Sequence, residues 1–202
     1  MPTIAYKNKA GIRLPGVTTI LGELGWGKQA LIIWANKEGL AGRDCNKTRD
    51  KAADSGTLAH LMIECHLNNK PEPDKSEYSP AIVDQAENAY LAYLDWEKRQ
   101  EFKILHTELS LVSELYQYGG TIDAIAEKDN KLWLIDFKTG SGVYLEHRLQ
   151  VAAYAALYLE NYAKQIERIS ILNIKKDTGE FTEYQLGDLT KEFDAFILAR
   201  QI

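Results

Sequence analysis

The chain has 202 residues, of which 45% are hydrophobic and 26% charged, a composition typical of a soluble globular protein. Its net charge of −5 excludes a protein coated in positive charge for nonspecific nucleic-acid binding, but it is compatible with an enzyme that has a local basic groove. No apolar run approaches the ~20 residues that span a bilayer, and the opening segment lacks the apolar core of a signal peptide. We therefore expect no membrane partner and a cytoplasmic location.

The first part of the chain has the apolar spacing of helices. It predicts a short helix within Leu14–Trp26, capped by Thr18 or Thr19, and then an amphipathic helix within residues 28–42. Residues 43–56 are polar and mixed in charge, which predicts a loop or a weak helix.

Two further helices are predicted before the middle of the chain, separated by a proline-punctuated loop at residues 71–80. The first follows Gly56, and its core-facing residues are Leu58, Leu61, Met62 and Cys65. The second covers residues 81–100, and its apolar stripe comprises Ile82, Ala86, Ala89, Tyr93 and Trp96.

From about residue 101 the apolar period changes to two, which is typical of strands. Three strand-like runs occupy residues 102–139, and Asp129-Asn130 marks a tight turn between the second and the third. The remaining predicted elements, in order, are a helix (144–163), a strand (166–176), a turn (177–179), a strand (180–187) and a helix (189–202). A strand, a crossover helix and a further strand permit a mixed sheet, so we expect an α/β protein.

Charged residues interrupt the hairpin formed by the second and third strands. Asp136 and Lys138 are two residues apart, so both side chains project from one face, whereas Phe137 points into the opposite layer. A turn centred on Asp129-Asn130 places Asp123 opposite Asp136, within one residue. Like charges opposite each other destabilise a sheet, and a divalent cation such as Mg²⁺ or Mn²⁺ removes that penalty.

The same residues carry a resemblance to a known family. The stretch "GGTIDAIAEKDNKLWLIDFKTG" resembles the PD-(D/E)XK nuclease motif, in which an aspartate precedes a D/E-x-K strand. The detailed match is to the RecB-type branch, which includes enzymes like mitochondrial genome maintenance exonuclease. Further elements in the expected order are "SGTLAH", "GTID", "DFKTG" and "QVAAYAALY", and the opening "GVTTILGELGWGKQALIIWA" looks like the start of phage-encoded members. Nearly the whole chain is covered.

The resemblance implies one nuclease domain over residues 1–202, with a mainly helical portion at 1–100 and a restriction-endonuclease-like central sheet, flanked by helices, at 101–202. It implies that Mg²⁺ or Mn²⁺ is held by side chains and one backbone carbonyl, namely His60, Asp123, Asp136 and Phe137 (carbonyl). A mixed nitrogen and oxygen shell favours Mn²⁺ slightly. Lys138 would stand beside the attacking water and the scissile phosphate.

Other residues receive a role through their position relative to this motif. Gln150 and Tyr154 share a helix face and would hold the water, Lys138 or a phosphate, although a surface glutamine and a core tyrosine are the alternative. Glu108 precedes the hairpin, and we favour a structural role over a supporting acid or an extra metal ligand.

Candidate DNA contacts lie on either side of the motif. Arg43, Lys47 and Arg49 belong to a basic cluster before "SGTLAH" and would line the entry path of DNA, or they form a solvated loop. Thr139 and Ser141 follow the lysine among glycines and would donate to phosphate, or they form an ordinary turn. Tyr116 and Tyr118 are assigned to sheet packing in preference to base stacking.

The implied function is hydrolysis of phosphodiester bonds at DNA ends, in recombination or repair in a bacterial or phage-infected cell. The implied partners are DNA and, as a further possibility, a recombination protein. Some relatives bind an iron–sulfur cluster through four cysteines, but this chain has two, Cys45 and Cys65, so we expect no cluster. Two alternatives stay open: a catalytically inactive DNA-binding module, and a phosphodiesterase for RNA or another substrate.

Overall fold

A five-stranded mixed sheet forms the centre of the computed structural model, which describes residues 5–26 and 28–201. The strands lie across the sheet in chain order: β1 (Lys103–Ser113), β2 (Tyr118–Lys128), β3 (Lys131–Lys138), β4 (Arg168–Ile174) and β5 (Phe181–Leu186). Neighbouring strands are antiparallel except for β3 and β4, which are parallel. A parallel pair needs a long crossover, and here a helix over Leu145–Tyr162 provides it.

Helices cover both faces of the sheet. They are α1 (Val17–Leu24), α2 (Lys28–Leu40), α3 (Cys45–Leu67), α4 (Pro80–Glu97), α5 (Leu145–Tyr162) and α6 (Thr190–Gln201). The first, fifth and sixth helices bury one apolar cluster against the sheet, and the third and fourth bury a second cluster against the other face. The predicted α/β class and the order of elements from residue 57 onward are confirmed. None of the helices in the described part of the chain is long and apolar enough to cross a membrane.

One prediction about helix ends is wrong and another is resolved. Of the two alternatives for the segment after residue 43, a loop or a weak helix, the helix forms, and Asp44 caps α3 by accepting from the backbone N–H groups of Asn46 and Lys47 at 2.9 and 3.3 Å. The helix then runs on through Gly56. Neither threonine caps α1, since Gly16 occupies the N-cap position and no side chain bonds there. The expectations that fall on residues 1–4, Gly27 and Ile202 lie outside the described residues.

The second helix forms as predicted, but its apolar face is not buried. Leu31, Ile32 and Ile33 are 54%, 68% and 63% exposed, and no residue of α2 joins either apolar cluster. Its one buried side chain is that of Glu38. The predicted helix therefore forms, but its apolar residues contribute to neither cluster.

The predicted register of the β2–β3 hairpin is confirmed. Asp129 and Asn130 have φ angles of +52° and +56°, which is the backbone of a two-residue loop that matches the twist of a hairpin. Pairing runs from Lys128 opposite Lys131 to Ala124 opposite Ile135. The next pair in this register is Asp123 and Asp136.

Two consecutive glycines at the start of β2 make room for aromatic rings on opposite faces. A Cβ at Gly119 would lie 2.2 Å from Cγ of Tyr6, whose hydroxyl is 2.9 Å from Thr121 Oγ1. A Cβ at Gly120 would lie 2.6 Å from Cε1 of Tyr154. The segment before α1 and the helix α5 can therefore approach this strand only because both positions lack a side chain.

Replacing Gly120 should displace the Tyr154 ring. We expect Gly120→Ala to lower the free energy of unfolding by about 1–3 kcal/mol, the usual effect of overpacking a core. Gly187→Ala is the matched control, because nothing lies within 4 Å of the added methyl group. Urea denaturation followed by circular dichroism measures both, and equal midpoints for the two variants would contradict the packing role of Gly120.

Candidate active site

A row of three carboxylates crosses the first three strands. Asp123 and Asp136 are adjacent in the β2–β3 register, and Glu108 lies opposite Asp123 on the other side, since the flanking pairs are Thr107 with Ala124 and Leu109 with Ile122. Sequence analysis favoured a structural role for Glu108. The structure instead places it beside the predicted site, and only the β1–β2 register, set by a four-residue turn, could have revealed this.

The backbone is irregular where this row crosses β1 and β2. Glu108 has a φ of +47°, a left-handed conformation that a glutamate rarely adopts in a strand. On β2, Ile122 and Ala124 belong to apolar clusters on opposite faces, although residues two apart normally share a face. Irregularities of this kind re-aim side chains and are frequent beside active sites.

His60 lies close to two of the carboxylates, those of Glu108 and Asp123. It projects from α3 and places its Nδ1 atom 3.9 Å from Asp123 Oδ2. His60, Glu108 and Asp123 each offer one ligand atom, and these atoms lie within 4.8 Å of one another. The predicted ligands His60 and Asp123 are thus close together, Glu108 is the third member of this group, and the ligand role of Asp136 stays a prediction.

Phe137 ties the third strand to this cluster through its backbone. Its N–H donates to Asp123 Oδ2 at 2.7 Å, and its backbone is close enough to the His60 ring to affect the pKa of that imidazole. Its side chain lies in the α3–α4 apolar cluster, as the alternation of β3 predicted. The carbonyl that the resemblance assigns to the metal is therefore next to the donor set, and its ligand role stays a prediction.

Asp136 is turned toward Lys138. The Lys138 Nζ atom is 2.7 Å from Asp136 Oδ2, and the two side chains are 19% and 1% exposed. The approach lacks the direction of a hydrogen bond, so neither Asp136 oxygen has a hydrogen-bond donor among the described residues. Burial raises the pKa of Asp136, and Asp123 adds to this effect. Burial alone would lower the pKa of Lys138, but Asp136 and Asp123 outweigh it and keep the ammonium charged.

These residues suit a divalent cation. Buried carboxylate oxygens without donors normally ligate a metal or pair with a cation. Burial and the charge of Lys138 lower the pKa of His60 to about 4, so its imidazole is neutral and free to ligate. Carboxylate oxygens with one imidazole are donors that Mg²⁺ and Mn²⁺ accept.

Glu108 should make the stability of the metal-free protein depend on pH. Burial, with Asp123 and Glu64 nearby, raises its pKa from 4.5 to about 7. Between these values the folded state holds a proton that the unfolded state has lost, so the free energy of unfolding falls as pH rises. We expect Glu108→Gln in EDTA to be about 1–3 kcal/mol more stable than wild type at pH 8 and nearly equal to it at pH 4.5. Urea denaturation at both pH values measures this, and no gain at pH 8 would contradict the assignment.

Gln150 and Tyr154 share a face of α5, as predicted. Gln150 Nε2 donates to the Tyr154 hydroxyl at 2.8 Å, and both side chains are buried. Burial and the nearby Asp136 raise the pKa of Tyr154 well above its usual value, so the phenol stays neutral. The pair faces the acidic row.

His147 is a site residue that the sequence reasoning missed. It is three residues before Gln150, and this helical spacing was the available signal. Its Nδ1 accepts the backbone N–H of Tyr144 at 3.1 Å, which leaves Nε2 as the donor. Burial and Lys138 lower its pKa.

Two cavities meet at the lysine. The His60 cavity has a volume of about 620 Å³ and lies between α3 and the loop after β3. The Trp26 cavity has a volume of about 670 Å³ and lies between α1, α2 and the start of α5. Lys138 and His147 line both, so the two cavities meet at these two residues.

The candidate DNA contacts divide into two groups. Thr139 and Ser141 line the His60 cavity. Arg43 instead holds the buried Glu38 through two hydrogen bonds of 2.7 and 2.8 Å, Arg49 pairs with Asp50, and Lys47 is exposed. None of the three basic residues is part of the wall of either cavity. The tyrosines pack as expected: Tyr118 is buried and donates to the Ala153 carbonyl, and Tyr116 lies against Phe193.

Comparison with known proteins decides the family. The model of the PD-(D/E)XK nuclease superfamily matches residues 34–198, which include every residue of the acidic row together with His60, Lys138, Gln150 and Tyr154. The chain belongs to the PD-(D/E)XK nuclease superfamily. The expected family and the expected fold are therefore confirmed.

Three known proteins illustrate what the chain is similar to. The CRISPR-associated exonuclease Cas4 of Francisella tularensis subsp. novicida (strain U112) is 32% identical over 105 residues, which are 48% of this chain and 54% of the relative. The chain thus aligns with about half of that relative. A putative exonuclease from Eubacterium rectale superposes with a TM-score of 0.50 at 12% identity, covering 73% of this chain and 68% of the other. LHK-Exo, an alkaline exonuclease from Laribacter hongkongensis solved in complex with dAMP, superposes with a TM-score of 0.42 at 14% identity, covering 75% of this chain and 83% of the other.

Proposed function

We propose that this nuclease-superfamily protein is a divalent-metal-dependent deoxyribonuclease that hydrolyses phosphodiester bonds at DNA ends. The supporting observation is the set of His60, Glu108 and Asp123, within 4.8 Å of one another, beside the buried pair of Asp136 and Lys138. A metal-ligand set next to a retained ammonium group suits displacement at a phosphate, where negative charge must be offset.

The acidic row and His60 would hold Mg²⁺ or Mn²⁺. Asp123 is the central ligand because it is adjacent to Glu108, His60 and Asp136 in the fold. Glu108 is added to the ligand side chains expected from sequence, namely His60, Asp123 and Asp136. A bound divalent cation supplies a Lewis acid that activates water and offsets charge on the phosphate.

Lys138 is the group that this chain offers to the water and the phosphate. Its ammonium stays protonated beside Asp136 and Asp123, and it faces both cavities, so it can orient the water and offset charge in the transition state. Gln150 donates to the Tyr154 hydroxyl, and because Tyr154 keeps its own proton, that hydroxyl would donate to the water or to a phosphate.

We assign the reaction to DNA ends, in recombination or repair within the cytoplasm of a bacterial or phage-infected cell. This assignment is supported by the exonuclease name of the Francisella relative and by the resemblance of the opening segment to phage-encoded members. The rival functions, an inactive DNA-binding module and a phosphodiesterase for RNA, are outcomes of the test below.

The test is a cleavage assay on a panel of substrates. End-labelled single-stranded DNA, linear duplex, closed circular DNA and single-stranded RNA are each incubated with Mg²⁺, Mn²⁺ or EDTA. We expect loss of the linear DNA substrates with either metal, none in EDTA, and intact circles. Cleavage of circles would overturn the assignment to ends, preferential cleavage of RNA would overturn the assignment to DNA, and binding without cleavage would identify an inactive module.

A further inference from the structure

We propose that the Trp26 cavity is a subsite for one unpaired nucleotide adjacent to the scissile phosphate. This inference rests on the proposed function and names the form of the substrate that its site accepts. It is carried by the position of the cavity, the chemistry of its two ends and its connection to the His60 cavity.

The outer end of the cavity offers a stacking surface. Trp26, directly after α1, is 50% exposed, and Leu31 of α2 is 54% exposed, yet both line this cavity. An aromatic ring beside an aliphatic side chain accepts the face of any base, because every base has a π-face. The exposure of Leu31, which belongs to neither apolar cluster, is thus explained by its place in the cavity wall.

The inner end of the cavity is polar and belongs to the reaction centre. Lys138, His147 and Gln150 lie there, and they are the groups next to Asp136 and Tyr154. His147 presents Nε2–H as a donor, since Tyr144 N–H occupies its Nδ1. A nucleotide whose phosphate lies at this end would place its base toward Trp26.

The charges of the wall suit a nucleotide, which brings a phosphate together with its base. The wall carries Lys28 and Lys138 against the single carboxylate of Glu146, so its net charge is positive and attracts a phosphate group. Lys28 is held over Gly25, where an added Cβ would lie 2.7 Å from Nζ. Gly25 has a φ of +62°, so both its backbone and this close approach require glycine.

The size and connection of the cavity favour an unpaired strand. Its volume of about 670 Å³ is in the range of pockets that enclose one small molecule, roughly 300–1,000 Å³. The His60 cavity continues from it at Lys138 and His147. A strand that passes from one cavity to the other would place the phosphate between two nucleotides beside Lys138.

Binding to oligonucleotides tests the subsite without requiring cleavage. The probes are a fluorescein-labelled oligothymidine, the same strand with abasic residues at its end, and a blunt duplex, titrated by anisotropy in EDTA. We expect Trp26→Ala to bind the single strand about tenfold more weakly, the effect of losing one stacked base, and Trp26→Phe to stay within about threefold of wild type. Leu31→Ala should weaken binding, whereas Ile32→Ala, a change to an exposed neighbour outside the cavity wall, should not.

The abasic strand distinguishes base recognition from a general loss of affinity. Wild type should prefer the intact strand, and Trp26→Ala should bind both strands equally. Equal binding of the intact strand by wild type and Trp26→Ala would overturn the subsite, as would an equal loss of affinity for the blunt duplex. If wild type cleaves no DNA but shows this preference, the nuclease proposal fails and the subsite stands.

Discussion

Lys138→Met should lower metal-dependent DNA cleavage by at least about 100-fold, because a positioned group that orients water and offsets phosphate charge contributes roughly 10²–10⁴-fold. The substitution keeps the length and packing of the side chain but removes the ammonium that lies 2.7 Å from Asp136. Initial rates with saturating Mg²⁺ or Mn²⁺ measure the effect. Lys175→Met is the matched control, because that lysine is 51% exposed and pairs with Glu180 away from both cavities.

A second variant tests the origin of the stability loss. Lys138→Met leaves Asp136 buried without its cation, and breaking a buried pair in this way costs about 3–5 kcal/mol. In the double variant Lys138→Met with Asp136→Asn the buried charge is gone, so we expect part of the stability to return in urea denaturation. Equal stability of the single and the double variant would contradict the ion pair of Lys138 and Asp136.

Asp123→Asn should weaken Mn²⁺ binding by at least about 100-fold and abolish cleavage. Loss of groups that merely support a metal ligand costs roughly 10–100-fold in affinity, and Asp123 is adjacent to every other candidate ligand in the row. Isothermal titration of the protein with Mn²⁺ measures the affinity directly. Asp129→Asn is the control, since it makes the same chemical change in the turn of the same hairpin, where asparagine tolerates the φ of +52°.

The metal-free Asp123→Asn protein should fold normally. Asparagine retains an oxygen that can accept the Phe137 N–H, now at 2.7 Å from Oδ2, and burial already raises the pKa of the carboxyl that it replaces. An acid whose pKa is raised in the folded state makes the wild-type protein less stable as pH rises. Asparagine has no such proton, so the variant does not lose stability in this way. The variant should therefore be at least as stable as wild type in EDTA above pH 7. Undiminished Mn²⁺ binding by Asp123→Asn would remove Asp123 from the metal site.

Local rules were sufficient where the chain makes short connections. A two-residue loop at Asp129-Asn130 admits one register, and that register brings Asp123 and Asp136 together from the sequence alone. Helical spacing likewise placed Gln150 and Tyr154 on one face. Alternation on β3 correctly separated Phe137 from Asp136 and Lys138.

Local rules failed where a distant partner decides the outcome. The run after residue 43 looked weak as a helix, but Asp44 caps it, and Lys176 from beyond β4 donates to the Ala52 carbonyl and to Ser55 within it. Helix α2 forms where its apolar spacing predicted it, but only the packing of the whole chain leaves it outside both cores.

The sequence by itself determined the mixed α/β fold, the hairpin and a set of candidate site residues, including Asp136 and Lys138 on one face of β3, because strand period, turn chemistry and motif order are local properties. Only the tertiary structure brought Glu108 to Asp123, since this contact depends on the β1–β2 register and on the irregular backbone at Glu108. It also joined two cavities at Lys138 and His147, which come from different elements. Contacts between elements far apart in the chain are fixed by packing, and packing has no signature in a single segment.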